Sequence, residues 1–252
     1  MVKVSIVGIT GRMGTNILEI IDGYPNFEIV GGVSAVKNSA YKIFSSFDEM
    51  VSCSDIVIDF SAPCATMKVL PSCAKYLKPI VIGTTGFSDN DIEKIKEYSK
   101  DIPIFMASNF SFGINLLNII LMKYSKFFDM NEYDLEILET HHRNKKDAPS
   151  GTAISLANSV AESYGRTLSD FMHNNNVNAP KKDRNKIGIS FRRGGGVFGE
   201  HTVSFMGDFE VIDFSHRALD RKVFAYGALK ATEWLLGKHK GMYSMQDLIA
   251  NI

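Results

Sequence analysis

Cysteine, tryptophan and long apolar runs are all scarce in this chain. Its three cysteines, Cys53, Cys64 and Cys73, are an odd number without a CxxC pair, which argues against a disulfide framework and points to a reducing, cytoplasmic compartment. Neither charge predominates. Lys plus Arg and Asp plus Glu stand at 28 each, so the overall basic field that nonspecific nucleic-acid binding relies on is missing and no nucleic-acid partner is expected. Apolar stretches such as residues 114–122, which contain Asn115 and Asn118, fall well short of the roughly 20 residues needed to span a bilayer, so no membrane partner is expected either. The apolar opening, Met1 to Val7, runs straight into glycine without the apolar core and cleavage site of a secretory signal. No internal repeat is visible.

What is present is 252 residues of globular composition, 45% hydrophobic, 11% aromatic and 22% charged, enough to bury a large core. Short β-branched runs at residues 2–7, 27–33, 55–60, 79–82 and 103–107 alternate for the most part with amphipathic segments. Met13, Ile17, Ile20 and Ile21 give the first helix its apolar stripe, and Ile92, Ile95 and Tyr98 give one to a helix starting at Ser88. This βαβ series predicts a Rossmann-type, doubly wound parallel sheet. Beyond about residue 110 the pattern changes. After a helix over 113–127 and a strand over 133–139, strands at 187–193, 201–206 and 209–215 follow without helices between them, which predicts antiparallel pairing and a smaller α+β domain with a mixed or antiparallel sheet. Gly207-Asp208 reads as a two-residue hairpin and Gly194 to Gly196 as a looser connection. Residues 222–237 read as a helix returning to the first domain. The expected division is 1–110 with 222–252 as the first domain and 111–221 as the second. Residues 173–186, with an Asn run and the cluster Lys181, Lys182, Asp183 and Arg184, read as a solvated loop.

Gly8-Ile9-Thr10-Gly11-Arg12-Met13-Gly14 follows the first strand directly and opens the first helix. Glycines there allow a tight turn and close approach of the backbone to a pyrophosphate, with the helix N–H groups facing the anion. The spacing is GxxGxxG rather than GxGxxG, so the context carries more than the string. An acid that would hold the ribose 2′-OH of NAD at the end of the second strand is missing. Ser34 stands there instead, offering a hydroxyl to a ribose oxygen or a phosphate. Lys37 lies nearby, read equally as a surface lysine or as a partner for a 2′-phosphate. The cofactor is therefore expected to be NADPH or NADH, with a lean to NADPH. Gly83, Thr84 and Thr85 after the fourth strand, and Ala107, Ser108, Asn109 and Phe110 after the fifth, fall where open α/β sheets bind ligands, although turn chemistry alone also accounts for them.

Residues 139–153 are the richest in chemistry. His141 and His142 precede Arg143, Lys145 and Lys146, and Pro149-Ser150-Gly151-Thr152 then enters a helix from Ala153 to Tyr164. Backbone N–H groups near Gly151 and Thr152 are placed to receive a carboxylate, and His and Lys to move a proton near neutral pH. A zinc site competes poorly, because adjacent histidines lack metal-ligand spacing and no HExxH is present; no metal is expected. A plain basic loop is the remaining reading.

These residues resemble the 4-hydroxy-tetrahydrodipicolinate (dihydrodipicolinate) reductase family of lysine and diaminopimelate biosynthesis. The pattern HHxxKxDxPSGTA is filled at every position from His141 to Ala153. Gly11 to Gly14, Gly83 to Phe87, Asn109 to Ser111, Arg193 with Gly195, and Gly199 to Thr202 are similar to the family's other motifs in the same order. The resemblance implies a two-domain enzyme, usually a homotetramer joined through the second domain's sheet, that reduces a cyclic imine dicarboxylate to tetrahydrodipicolinate with NADH or NADPH and loss of water. It implies that His141 and Lys145 exchange protons and that His142, Gly151 and Thr152 hold substrate carboxylates. Gly8, Ile9, Thr10, Gly11, Arg12, Met13, Gly83 to Thr85 and Ala107 to Phe110 would contact the cofactor. Arg221 falls where the family often has a hinge or substrate-side arginine. The chain departs from NADH-favouring members in having Ser34 in place of an acid, with a short segment after it. Another amino-acid dehydrogenase, or a non-catalytic dinucleotide sensor, would share the first half of the chain without explaining residues 139–153.

Overall fold

The computed structural model describes residues 1–35, 40–173 and 185–251. They form two compact units, Met1–Phe112 with Lys222–Ile252, and Gly113–Arg221.

Unit 1 is built on a six-stranded sheet. Its strands are β1 (Val2–Val7), β2 (Phe27–Val33), β3 (Ile56–Asp59), β4 (Ile80–Ile82), β5 (Pro103–Met106) and, near the end of the chain, β11 (Gly241–Tyr243). They lie in the order β11-β5-β4-β3-β1-β2 and every pairing is parallel. Side chains alternate across a strand, so Ile56 and Ile58 enter one core and Val57 the other. The first core is closed by Ile17 of α1 (Arg12–Ile20), by Ala225, Ala228 and Leu229 of α8 (Lys222–Leu235) and by Leu248 of α9 (Met245–Ala250). The second is closed by Met50 of α2 (Phe47–Ser52), Val69 of α3 (Pro63–Lys75) and Ile95 of α4 (Asp89–Tyr98). Helix α4 begins at Ser88 through a reciprocal capping box with Asp91, a device that satisfies two helix-end donors at once. The first five strands are legible in the sequence. Strand β11, three residues beginning with Gly241, and helix α9, six residues, are not, because both are too short to show a period.

Unit 2 has a five-stranded sheet, β6 (Asp134–His141), β7 (Met172–His173), β8 (Ile187–Arg193), β9 (Gly199–Met206) and β10 (Val211–Ala218), in the order β10-β9-β6-β8-β7. Leu135 and Ile137 of β6, Ile187 and Ile189 of β8, and Val203 and Phe205 of β9 share one face with Leu156, Ala157 and Val160 of α6 (Gly151–Ser163). Burying a side chain such as Leu156 there contributes roughly 1.5–3 kcal/mol. Helix α5 (Phe112–Tyr124) adds Leu117 and Leu121 to the same core, and the short α7 (Leu168–Phe171) leads into β7.

Four expectations about this sheet need correction. Strand β8 is parallel, not antiparallel, to β6, because the chain between them contains α6 and crosses over as a βαβ unit. Among the described residues only the β6–β9 and β9–β10 pairs are antiparallel. Strand β8 is also no neighbour of β9: the connection through Gly194 to Gly196 passes over β6. The turn between β9 and β10 spans four residues rather than two, closed by Gly207 N–H donating to the Glu210 carbonyl at 2.9 Å. Phe209 at its tip is fully exposed, so the strand expected to begin there begins instead at Val211. Most of the segment 173–186, including the Lys181 to Arg184 cluster, lies outside the described residues.

Candidate active site

Four strand ends at the carboxyl edge of the unit 1 sheet carry the residues expected to hold a dinucleotide. After β1, Gly8 has φ +84°, and a Cβ there would stand 2.5 Å from the Phe60 carbonyl oxygen. A Cβ on Gly14 would collide with the carbonyls of Gly8 and Ile9. Only glycine permits this packing of turn, helix and sheet. Helix α1 starts at Gly11 without a side-chain cap and without an acid in its first turn, so its N-terminal N–H groups and positive dipole end suit a phosphate. Thr10 hydrogen-bonds Ser34 through the two hydroxyls, tying this turn to the end of β2. Arg12 is exposed. The Ile9 and Phe110 side chains are buried in the core, and Met13 packs against it. Ile9 and Phe110 therefore offer main chain rather than side chain to a ligand.

After β4, Thr84 is buried and its hydroxyl accepts from the Ser61 N–H at 2.9 Å, while Thr85 is exposed. After β5, Ala107 and Ser108 lead to Asn109, whose side-chain carbonyl accepts from Ser111 N–H at 2.9 Å and so fixes the turn. The fold thus gathers Gly8 to Met13, Ser34, Gly83 to Thr85 and Ala107 to Phe110 at one edge of one sheet. Lys37 lies outside the described residues.

The chemistry of unit 2 converges on Glu139. On β6 the even positions turn away from α6, while Leu135, Ile137, Glu139 and His141 face it. Glu139 and His141 occupy the polar end of that stripe. Glu139 is wholly buried. Its Oε1 accepts from the Ser150 N–H at 2.9 Å and from Arg193 Nη2 at 2.9 Å. Its Oε2 stands 2.9 Å from His141 Nδ1, without the alignment of a full hydrogen bond, and 3.8 Å from His201 Nε2. Register explains the meeting: Arg193 of β8 is opposite His141, and His201 of β9 is opposite Glu139. Arg193 also donates to the Asp147 carbonyl at 2.7 Å, pinning the loop that follows His142.

That loop ends at Ser150, the N-cap of α6. The Ser150 hydroxyl accepts from Ala153 N–H at 3.1 Å and lies 3.3 Å from His201 Nε2. Gly151 and Thr152 form the first turn of the helix, which contains no acid to neutralise its positive end. Lys145 is paired with Asp147 at 2.9 Å and is partly exposed; His142 is half-buried. Arg221 is the last residue of unit 2.

Burial sets the protonation pattern. It pushes the Glu139 carboxyl up, but the Ser150 and Arg193 hydrogen bonds outweigh it and hold the acid below its usual value. Burial lowers His141 against the opposing pull of Glu139, and takes His201 down to about 4. At neutral pH both imidazoles are therefore neutral beside an ionised Glu139. Glu139, His141 and His201 also place ligand-type atoms within 4.8 Å of one another. Because Arg193 already compensates Glu139, and Lys145 and Arg193 both oppose positive charge on His141, the cluster is better suited to an anion nearby than to a cation inside it.

The sequence points to His141, His142, Lys145, Gly151 and Thr152, and these fall in one stretch from the end of β6 to the start of α6. It does not assign the roles of Glu139, Arg193, Ser150 and His201. The signal available is alternation, with Glu139 and His141 in phase with Leu135 and Ile137, which marks a buried acid that needs a partner.

A parallel sheet with a glycine-rich dinucleotide turn, joined in one chain to a mixed-sheet unit holding a buried acid, imidazoles and a helix N-terminus, defines a two-unit NAD(P)H-dependent oxidoreductase. Two family models cover nearly all of the chain: dihydrodipicolinate reductase, N-terminus, over residues 2–110, and dihydrodipicolinate reductase, C-terminus, over residues 113–249. The chain is 42% identical over 252 residues to 4-hydroxy-tetrahydrodipicolinate reductase of Clostridium novyi, covering 99% of this chain and 98% of that one. It is 39% identical over 248 residues to the Rickettsia rickettsii enzyme of the same name, covering 98% and 99%. Among solved structures, dipicolinate-bound dihydrodipicolinate reductase from Paenisporosarcina sp. TG-14 matches with a TM-score of 0.77 at 22% identity, covering 97% of each chain. Aspartate dehydrogenase from Thermotoga maritima shares the fold more loosely, with a TM-score of 0.53 at 14% identity over 95% of this chain and 98% of that one. The chain belongs to the dihydrodipicolinate reductase family, whose members reduce 4-hydroxy-tetrahydrodipicolinate with NAD(P)H in lysine biosynthesis. No helix among the described residues is long and apolar enough to cross a membrane.

Proposed function

We propose that this chain performs its family's reduction with the dinucleotide held by unit 1 and the cyclic dicarboxylate held by residues 141–152 of unit 2. The observation that carries this reading is the Glu139 hub, which fixes His141, Arg193 and the Ser150 helix cap around a cationic loop. Gly8, Gly11, Arg12 and the main chain of Ile9, Thr10 and Met13 would receive the pyrophosphate. Gly83 to Thr85 and Ala107 to Phe110 would line the nicotinamide side. When bound, the reduced nicotinamide supplies hydride.

The residues of unit 2 supply what the hydride leaves unfinished. Negative charge develops on the conjugated ring, and Lys145 is the cation that stabilises and protonates it. His141, neutral and backed by ionised Glu139, accepts or relays a proton. The two substrate carboxylates are met by His142 and by the Gly151 and Thr152 N–H groups at the uncompensated end of α6.

Cofactor preference leans to NADPH, because Ser34 is engaged by Thr10 and contributes no acid to repel a 2′-phosphate. Lys37 would add to that preference. The assembly is a cytoplasmic homotetramer. Its support is the second face of the unit 2 sheet, where Leu138, Met206 and Val211 are 36%, 39% and 56% exposed beside the cross-strand pairs Thr202–Ser215 and Ser204–Asp213.

The test is to mix the protein with freshly generated aspartate-semialdehyde/pyruvate condensation product and follow oxidation of NADPH and NADH separately. Rapid substrate-dependent oxidation, faster with NADPH, is expected. Folded protein that oxidises neither would overturn the reading.

A further inference from the structure

Asp59 is a second buried carboxylate, and nothing in the reaction requires it. It closes β3, and in register it lies between Val7 of β1 and Ile82 of β4. The segments after those two neighbours are the Gly8 turn and Gly83 to Thr85. Its side chain is fully buried, and among the described residues no ion pair satisfies it. Hydroxyls do so instead. Ser61 Oγ and Thr66 Oγ1 each donate to it at 2.5 Å. The Thr84 hydroxyl takes the Ser61 N–H on its own oxygen and so is tied to Asp59 through Ser61. The main chain adds a third tie, Gly83 N–H to the Asp59 carbonyl at 2.8 Å.

What these bonds hold in place is the pair Phe60 and Ser61. The Phe60 carbonyl is the atom a Cβ on Gly8 would meet at 2.5 Å, and the Phe60 ring is what a Cβ on Gly83 would run into. The same ring packs against Phe110 with centroids 5.3 Å apart. Three of the segments assigned to the dinucleotide thus rest on two residues whose position is set from beneath by one carboxylate. A buried acid without a cation is costly to keep. A fold needing only stability would do better with an apolar residue there.

We propose that Asp59 is a positioning residue for the dinucleotide site: its carboxylate holds Ser61 and Thr66, Ser61 in turn holds Thr84, and together they set the spacing between the Gly8 turn and the Gly83–Thr84 loop. This rests on the assignment of those loops to the cofactor. Asp59, fully buried, is not placed to touch cofactor or substrate itself. Its effect is expected in cofactor affinity rather than in the proton-transfer steps assigned to unit 2.

The experiment compares Asp59→Asn, Thr66→Val and Thr66→Ser with Ser54→Ala. Ser54 is buried in the same unit and bonds Ser5 and the Met50 carbonyl, away from the loops. For each variant the Kd and KM of NADPH, the kcat, the substrate KM and the Tm are measured. Asp59→Asn keeps the volume but replaces one acceptor oxygen with a donor, and losing hydrogen bonds to a charged group corresponds to roughly tenfold or more. The expected result is a cofactor Kd and KM raised about tenfold in Asp59→Asn and several-fold in Thr66→Val. Thr66→Ser should bind like the parent, with kcat and substrate KM nearly unchanged throughout. Ser54→Ala should lower Tm without weakening cofactor binding. The proposal is overturned if Asp59→Asn binds NADPH as the parent does, or if cofactor affinity follows Tm alike in all four variants. Should Asp59→Asn fail to fold, Thr66→Val against Thr66→Ser decides: equal cofactor affinity in the two overturns it. A parent protein that binds neither NADPH nor NADH would instead refute the loop assignment itself.

Discussion

Glu139 and His141, two residues apart on β6, face the same side of the sheet, and the Glu139 carboxylate lies 2.9 Å from the His141 ring nitrogen Nδ1. Strand geometry alone places them together, since residues i and i+2 share a face. The same carboxylate holds Arg193 and the Ser150 N–H, so the imidazole, the guanidinium and the helix cap share one anchor.

Replacing that anchor should be costly. Glu139→Gln removes the charge that Arg193 compensates and leaves a half-buried guanidinium facing an amide. Breaking one side of such a pair costs about 3 kcal/mol. Chemical denaturation should show a loss of that order, and kcat should fall at least tenfold while cofactor Kd, governed by unit 1, stays within twofold. A variant with parental kcat would remove Glu139 from the site.

Acid should destabilise the fold through the same cluster. Burial takes His201 down to about 4 and also lowers His141 and His216. Between about pH 6.5 and 4 the unfolded chain therefore binds more protons than the native one, so the free energy of unfolding falls as pH falls. His201 alone accounts for roughly 3 kcal/mol across that window, because each tenfold rise in proton concentration there costs ~1.4 kcal/mol. The depressed Glu139 adds a loss of the same sign at lower pH. Urea denaturation from pH 7 to 4.5 should show this slope, and His201→Gln should flatten it; an unchanged slope would mean that His201 is not held neutral.

The open face of the unit 2 sheet predicts where subunits meet. Placing a charge at Met206, as Met206→Asp, should split the proposed tetramer in light scattering after size exclusion, because a carboxylate left without a partner beside Val211 is expensive to bury. Monomer circular dichroism should be unchanged. A tetramer that survives the substitution places the contact elsewhere.

Much of this architecture is legible in the chain itself. Contiguous β-branched runs such as Ile56-Val57-Ile58 and Ile80-Val81-Ile82 mark strands buried on both faces, and Ser88 with Asp91 marks a helix start. The glycines at 8, 11 and 14 tell where a dinucleotide would lie, because sterics leave little else there. The direction of β8 is not legible, since nothing in the residues of α6 ties that helix to the two strands it connects. Nor is the Glu139 hub, because Arg193 and His201 reach it only through the register of β8 and β9, more than 50 residues on. Ile9 and Phe110 show the converse: they stand in the motifs, but their side chains serve the core.

In the proposed function, proton transfer belongs to residues 141–152 and cofactor binding to the strand ends of unit 1. Steady-state kinetics of His141→Ala and Lys145→Ala, with NADPH Kd measured alongside, test it most directly. A general acid or base contributes about 10²–10⁴-fold. The prediction is a kcat lower by that factor with cofactor Kd unchanged. Full turnover in either variant, or a loss that follows weakened NADPH binding, would contradict it.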